Sequence, residues 1–314
     1  MSIPLPSPVQ IDLQRLVALR SMPGQGLPSQ RRVFATQSGG HLSRFHGRGM
    51  EFSEVRAYQP GDDARSIDWR VTARRGKVHT KLFQEEREQP VLLALDYRRP
   101  MFFATRGRFK SVLASELTAL LAWRAQARGD RVGGFIFSDE RQIESRPAGG
   151  RHGVLRLLQQ MTTDPAWKRP PHLPFEPQQR LAKTIQKLRR VTRPGSLVLL
   201  LSDFNQWDDE VEKQLAQLAR QAQLALYFFY DPLEAELPRA GSYRLSDGDT
   251  DLAIATDQAS LRSSYRERFV SHQERIESFC QRYRAQFYAF ATDQDPQQVL
   301  QAAMTSRRHQ HAGR

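Results

Sequence analysis

The sequence predicts an α/β protein: a doubly wound, mostly parallel sheet with helices on both faces, preceded by an N-terminal β-rich arm. Three observations predict it. Apolar runs at residues 91–96 (VLLALD), 196–204 (SLVLLLSDF) and 224–231 (LALYFFYD) have the unbroken hydrophobicity of parallel strands buried on both faces. Segments with helical spacing lie between these runs. Upstream, residues 47–89 mix charges and aromatic residues in a pattern that favours strands and turns over helix, with Val71, Ala73, Val78 and Leu82 alternating among polar residues.

Residues 1–46 read as a weakly ordered segment: a short amphipathic stretch at 11–19, then the linker-like SMPGQGLPSQ. The α/β domain is expected over 90–304. After the strand at 91–96 comes a helix carrying Phe109, Val112, Leu113, Leu117, Leu120 and Leu121, stopped by Gly129. RVGGFIFSD (131–139) is the next strand, with 141–147 as its hairpin partner. Helices follow at 153–161 and, beyond a proline-rich loop, at 179–191. A helix at 208–223 separates the strands at 196–204 and 224–231. Two short strands at 242–245 and 252–256, a long helix at 258–285 and a last strand at 287–293 complete the domain. Residues 305–314 form a basic tail.

Composition narrows the function classes. With 314 residues the chain can bury a full core. Cys280 is its one cysteine, so an internal disulfide is excluded. The opening MSIPLPSPVQIDLQ has no basic n-region followed by an apolar stretch, and the apolar runs, such as 197–201, fall far short of the roughly 20 residues that span a bilayer, so a cytoplasmic location without membrane insertion is expected. The net charge of +13 suggests an anionic partner. Its distribution is uneven: residues 141–200 carry 12 Lys and Arg against 3 Asp and Glu, whereas 201–260 carry 4 against 12, nets of +9 and −8. Such polarity suits oriented protein–protein contacts.

The most specific signal is the run from Gly47 to Arg87. It sets Glu51, Glu54, Asp62, Asp63 and Asp68 against Arg48, Arg56, Arg65, Arg70, Arg74 and Arg75, around Phe52, Tyr58, Ile67 and Trp69. Opposite charges spread among apolar anchors suit an arm that buries its aromatics and ties guanidiniums to carboxylates. Trp69 and Phe52 are therefore expected to be largely buried, with Arg56, Arg65 or Arg74 paired to acids of the same run. Pro60-Gly61-Asp62-Asp63 reads as a tight turn. The run resembles the bacterial family of domain of unknown function 58. Its hallmark runs from Gly-Arg-Gly-x-Glu-Phe (Gly47, Arg48, Gly49, Glu51, Phe52) through Tyr-x-Pro-Gly-Asp-Asp-x-Arg-x-Ile-Asp-Trp (Tyr58 to Trp69) to Ala73-Arg74. The resemblance implies a von Willebrand factor A-like domain after the arm.

Strand candidates end in acids at Asp96, Asp139, Asp203 and Asp231. Ligands of open α/β sheets sit beyond the carboxyl ends of the strands, and clustered carboxylates there suit a hard cation; acids at such turns also cap the following helix. Von Willebrand A domains hold Mg²⁺ or Mn²⁺ on Asp-x-Ser-x-Ser, a threonine and a further Asp. By that resemblance Asp96 matches the first Asp and Asp203 the last, but Arg98 and Pro100 occupy the serine positions, and the middle loop PPHLPFEP lacks the threonine. A degenerate site without metal is expected, with Arg98 standing in for the ion against Asp96 or Asp203.

Other chemistry is faint. Ser202-Asp203 has no glycine elbow, no P-loop occurs, and His309 and His311 lie in the terminal tail, while His41, His46 and His79 lie in or beside the arm without Cys or His at ligand spacing. Non-enzymatic function without a cofactor is expected. The resemblance implies an adaptor that works with a MoxR-type AAA+ ATPase in chaperone-like maturation or assembly of a client protein. Alternatives are a nucleic-acid-associated protein using Arg146, Arg151, Arg156, Lys183, Lys187, Arg189 and Arg190, or a metal-dependent ligand-binding domain on Asp96, Asp139 and Asp203.

Overall fold

The computed structural model describes residues 7–22, 50–59, 67–85, 88–169, 181–246, 251–295 and 297–298. The chain divides into two compact units, one formed by 1–30 with 89–314 and the other by 31–88.

The larger unit is built on a six-stranded sheet. Its strands are β3 (Pro90–Asp96), β4 (Arg131–Phe137), β5 (Gln142–Ala148), β6 (Leu197–Ser202), β7 (Gln223–Tyr230) and β10 (Gln286–Ala291). The spatial order is β10-β7-β6-β3-β4-β5; every pairing is parallel except that of β5 with β4. The apolar runs thus form parallel strands, with Leu92 opposite Val198 and Ala94 opposite Leu200. Pleating sends alternate residues to opposite faces. Leu93, Leu95, Leu199 and Tyr227 join one core with α3 (Lys110–Ala127) and α4 (Gly150–Thr162). Leu92, Ala94, Val198 and Leu200 join the other with α5 (Leu181–Val191), α6 (Asp209–Gln221) and the end of α8 (Ala259–Tyr283). The result is a three-layer α/β/α fold, consistent with a von Willebrand A-like domain. A short helix, α7 (Pro232–Ala235), and an antiparallel pair, β8 (Ser242–Ser246) with β9 (Asp251–Ala255), lie between β7 and α8.

The expectation of a weakly ordered start is corrected over residues 7–22. Helix α1 (Leu13–Ala18) is capped by Asp12, whose carboxylate accepts from Arg15 N, and it buries Leu16 completely. Trp123 Nε1 donates to Leu16 O at 3.0 Å, and Arg15 Nε meets Glu116 Oε1 at 2.5 Å. Full burial of one leucine contributes about 1.5–3 kcal/mol, enough to hold a one-and-a-half-turn helix that would not persist alone. This cover explains why α3 is buried around nearly its whole circumference.

In the smaller unit, β1 (Met50–Ala57) pairs antiparallel with β2 (His79–Glu85), bulging between Phe52 and Glu54. Residues 69–75, expected as strand and turn, are instead helix α2 (Trp69–Arg75). Local chemistry accounts for it. Asp68 accepts from the N–H groups of Arg70 and Val71, Arg74 and Arg75 sit in the last turn, and Gly76 closes the helix at φ +68°.

Candidate functional site at the carboxyl edge of the sheet

The carboxyl ends of β3 and β6 lie side by side at the centre of the sheet and bring Asp96 and Asp203 together. Asp96 is completely buried. Arg98 Nη2 lies 2.7 Å from its Oδ2, Arg98 Nε 3.0 and 3.1 Å from its two oxygens, and the Arg98 backbone N–H 2.8 Å from Oδ1. Ser202 Oγ donates to Asp96 Oδ2 at 2.6 Å and accepts from Phe204 N at 2.9 Å. The same guanidinium is 3.9 Å from Asp203 Oδ1 and packs over the Phe137 ring. One residue in sequence, two positions after its acid, thus supplies a forked cation to the carboxylate that would otherwise face the sheet's apex.

Asp203 has a second cation. Lys110, at the start of α3 and 1% exposed, places Nζ 3.2 Å from Asp203 Oδ2 and 2.6 Å from Glu234 Oε1. Burial would lower its pKa, but Asp203 and Glu234 outweigh it and raise it. Burial likewise opposes ionisation of Asp203, yet Lys110, Arg98 and the Asn205 N–H hold its carboxyl below the ordinary carboxylate range. Arg98 is driven the same way as Lys110: burial works against its charge and Asp96 more than restores it. These groups form one charged network in a dry setting, worth little in net stability and costly to break. Glu234 is itself fixed, because its other oxygen accepts from Asp231 N in the capping box of α7.

The backbone after β6 is bent to fit this network. Phe204 and Gln206 take left-handed conformations, at φ +49° and +72°, and neither is glycine. Phe204 is buried, edge-on to Trp207 at 5.6 Å, while Asn205 N donates to Asp203 Oδ1 at 3.0 Å. Packing on both sides holds a strained loop at the site, as functional loops often require.

The other strand-end acids tie together neighbouring loops. Asp139 accepts from Arg99 N at 2.8 Å and meets Arg169 Nη1 at 3.2 Å. Asp231 caps α7 and accepts from the hydroxyls of Thr105 and Thr292 at 2.5 and 2.7 Å, which hold its carboxyl low despite burial. Pro100 lies in the 3₁₀ turn Arg99–Met101 and offers no side-chain donor. The donor set does not suit a divalent cation. The inner oxygens of Asp96 and Asp203 already face a guanidinium and an ammonium, and Mg²⁺ needs near-octahedral oxygen ligation. Among the described residues no group of three or more His, Cys, Asp or Glu is placed to hold a metal. The middle loop PPHLPFEP lies outside the described residues.

The arm differs from its expectation. Trp69 is 70% exposed at the first turn of α2, with Tyr58 and Val78 also exposed, so the expected burial of Trp69 is corrected. The physical reason is its position: with Asp68 turned into the helix cap, the next residue faces solvent. Arg56 Nη1 donates to Ala57 O at 3.1 Å, and Arg74 is exposed, without an ion pair among the described residues. Gly47, Arg48, Gly49, Pro60, Gly61, Asp62, Asp63 and Arg65 lie outside the described residues, as do the side chains of Glu51 and Phe52.

Lys110 and Glu234 were not singled out from the sequence. A lysine at a helix start carries no spacing signal; its one local hint is position, ahead of the apolar run of α3.

The family model described as protein of unknown function DUF58 matches residues 54–275. The chain belongs to the DUF58 family. Two relatives are uncharacterized proteins: Mb1516 of Mycobacterium bovis and Rv1480 of Mycobacterium tuberculosis, each 28% identical over 289 residues, covering 90% of this DUF58 chain and 87% of the relative. Among solved structures, it is similar to the conserved hypothetical protein BatB from Bacteroides thetaiotaomicron, at 13% identity and TM-score 0.43 over 70% of this chain and 99% of that one. An aerotolerance-related membrane protein from Bacteroides fragilis matches at 13% identity and TM-score 0.44, over 71% and 99%. Among the described residues, no helix is long and apolar enough to cross a membrane.

Proposed function

We propose that this chain is a non-enzymatic, protein-binding adaptor that works with a MoxR-type AAA+ ATPase in the chaperone-like maturation or assembly of a client protein, and that it binds without metal. The observation that carries the metal-free part is the pair of buried cations, Arg98 and Lys110, against Asp96 and Asp203. A site neutralised from within has no vacant position for a catalytic or adhesive ion. Ser202, which binds Asp96 at its centre, is engaged both as donor and as acceptor, which argues against a nucleophile. Exposed Trp69, with Tyr58 and Val78 also exposed in the same unit, suits a contact surface, since tryptophan anchors are enriched at interface centres. The ATPase partner rests on the family resemblance of the arm.

The test is capture of the purified MoxR-type ATPase from the same organism on the immobilised full chain, with and without EDTA in nucleotide-free buffer. Equal capture in both is expected, together with no one-to-one Mg²⁺ isotherm by calorimetry. Failure of capture would sink the adaptor reading. A Mg²⁺ isotherm abolished by Asp96→Ala would sink the metal-free one.

A further inference from the structure

Beside the charged network, on the same edge of the sheet, is a cavity of about 970 Å³ between the loop before α3, the α7 region and the first turns of α8. Arginines line it from three parts of the chain: Arg106, Arg239, and the pair Arg262 and Arg266. One acid, Glu236, also lines it. We propose that this cavity binds an acidic peptide segment of a protein partner; the proposal deepens the adaptor reading and rests on it.

Its walls are braced independently of any ligand. Gly107, beside Arg106, takes φ +73°, and a Cβ there would lie 2.1 Å from Thr292 O, so only glycine lets the loop sit this close. Thr105 N donates to Asp231 Oδ2 at 2.8 Å, which anchors Arg106 from its other side. On the opposite wall Thr256 Oγ1 donates to Arg239 O at 2.8 Å and to Gly241 O at 3.0 Å. Arg262 donates to the carbonyls of Thr256 and Asp257, so it serves the wall itself. Arg106, Arg239 and Arg266 are exposed and have no ion pair among the described residues. Three guanidiniums gathered in one concavity focus positive potential, although residues 201–260 are net negative.

The chemistry of the lining selects among anions. Pro232, Leu233, Leu237 and Pro238 bring apolar surface beside the arginines, and the exposed Tyr243 ring adds to it. A segment of alternating carboxylates and aliphatic side chains satisfies both sets at once. A free phosphate would use only the arginines. A small-molecule site would bury most of its ligand, whereas the three arginines here are on the surface.

Fluorescence anisotropy of the full chain with a labelled peptide of alternating Glu and Leu tests the site. The triple variant Arg106→Gln, Arg239→Gln, Arg266→Gln is expected to weaken binding about tenfold or more, since each loses a charge-assisted contact. The double variant Arg151→Gln, Arg190→Gln, in the basic segment elsewhere, should bind as the unmodified chain does. Arg266→Glu alone, an exposed position on α8, keeps the test open should the triple variant fold poorly, and should weaken binding too. Unchanged binding by Arg266→Glu or by the folded triple variant, equal loss in the basic-segment variant, or displacement of the peptide by inorganic phosphate or single-stranded DNA at matched charge would overturn the proposal. So would absence of peptide binding by the unmodified chain. If the ATPase is still captured in that case, the adaptor reading stands and only this site falls.

Discussion

The sheet edge and the arm are made of the same residue types, arginine, aspartate and aromatic rings, yet use them in opposite ways. At the sheet edge Asp96 and Arg98 are buried, the guanidinium lies over the Phe137 ring, and each charge finds its partner inside the fold. In the arm Asp68 caps a helix, Arg74 faces water and Trp69 lies open. The difference is dielectric. Where water is excluded, an unpaired charge is intolerable and sequence neighbours are drawn into ion pairs; where water remains, the same groups are free to cap helices or meet partners.

This contrast is sharpest under mutation. Lys110→Met keeps the volume of the side chain and removes its charge, which leaves Asp203 with the more distant Arg98 as its cation. Denaturant unfolding should show a loss of about 3–5 kcal/mol, as for other broken buried pairs. A loss near that of a surface substitution would mean that the network is hydrated and that the comparison fails.

Acid should act next, and on the sheet edge rather than the arm. The folded pKa of Asp203 is depressed, so its contribution is complete above the unfolded aspartate value, about 3.9, and is lost as pH falls through the folded value. Thermal melts should therefore lose stability on acidification below about pH 4, with a shallower slope in Asp203→Asn. Equal slopes in both proteins would remove Asp203 from the account.

The arm should give the smallest effects. Asp68→Ala removes the cap of α2 and should cost about 1 kcal/mol of the stability of its unit. Trp69→Ala should change stability by less than about 0.5 kcal/mol, because its side chain buries little. If it instead costs several kcal/mol, the indole is packed in solution and the arm resembles the sheet edge after all.

The sheet was legible because its strands are buried on both faces and therefore write uninterrupted apolar runs; residues 91–96, 197–202 and 224–230 needed little else. The acids Asp96 and Asp203 were legible from their places at strand ends, whereas Arg98 drew notice only through the resemblance, which implies a metal ligand at its position. Helix α2 carries its signals, Asp68 before and Gly76 after, but the alternation of Val71 and Ala73 imitates a strand and masks them.

Local sequence was enough to settle the α/β class and the apolar character of its strands, because these depend on patterns a few residues long. Only the tertiary fold could bring Lys110 to Asp203 across 93 positions, Glu234 to Lys110 across 124, and Leu16 under Trp123 across 107. Such pairs leave no mark in spacing. A lysine becomes an internal cation through the burial that surrounds it, and burial is a property of the packed chain.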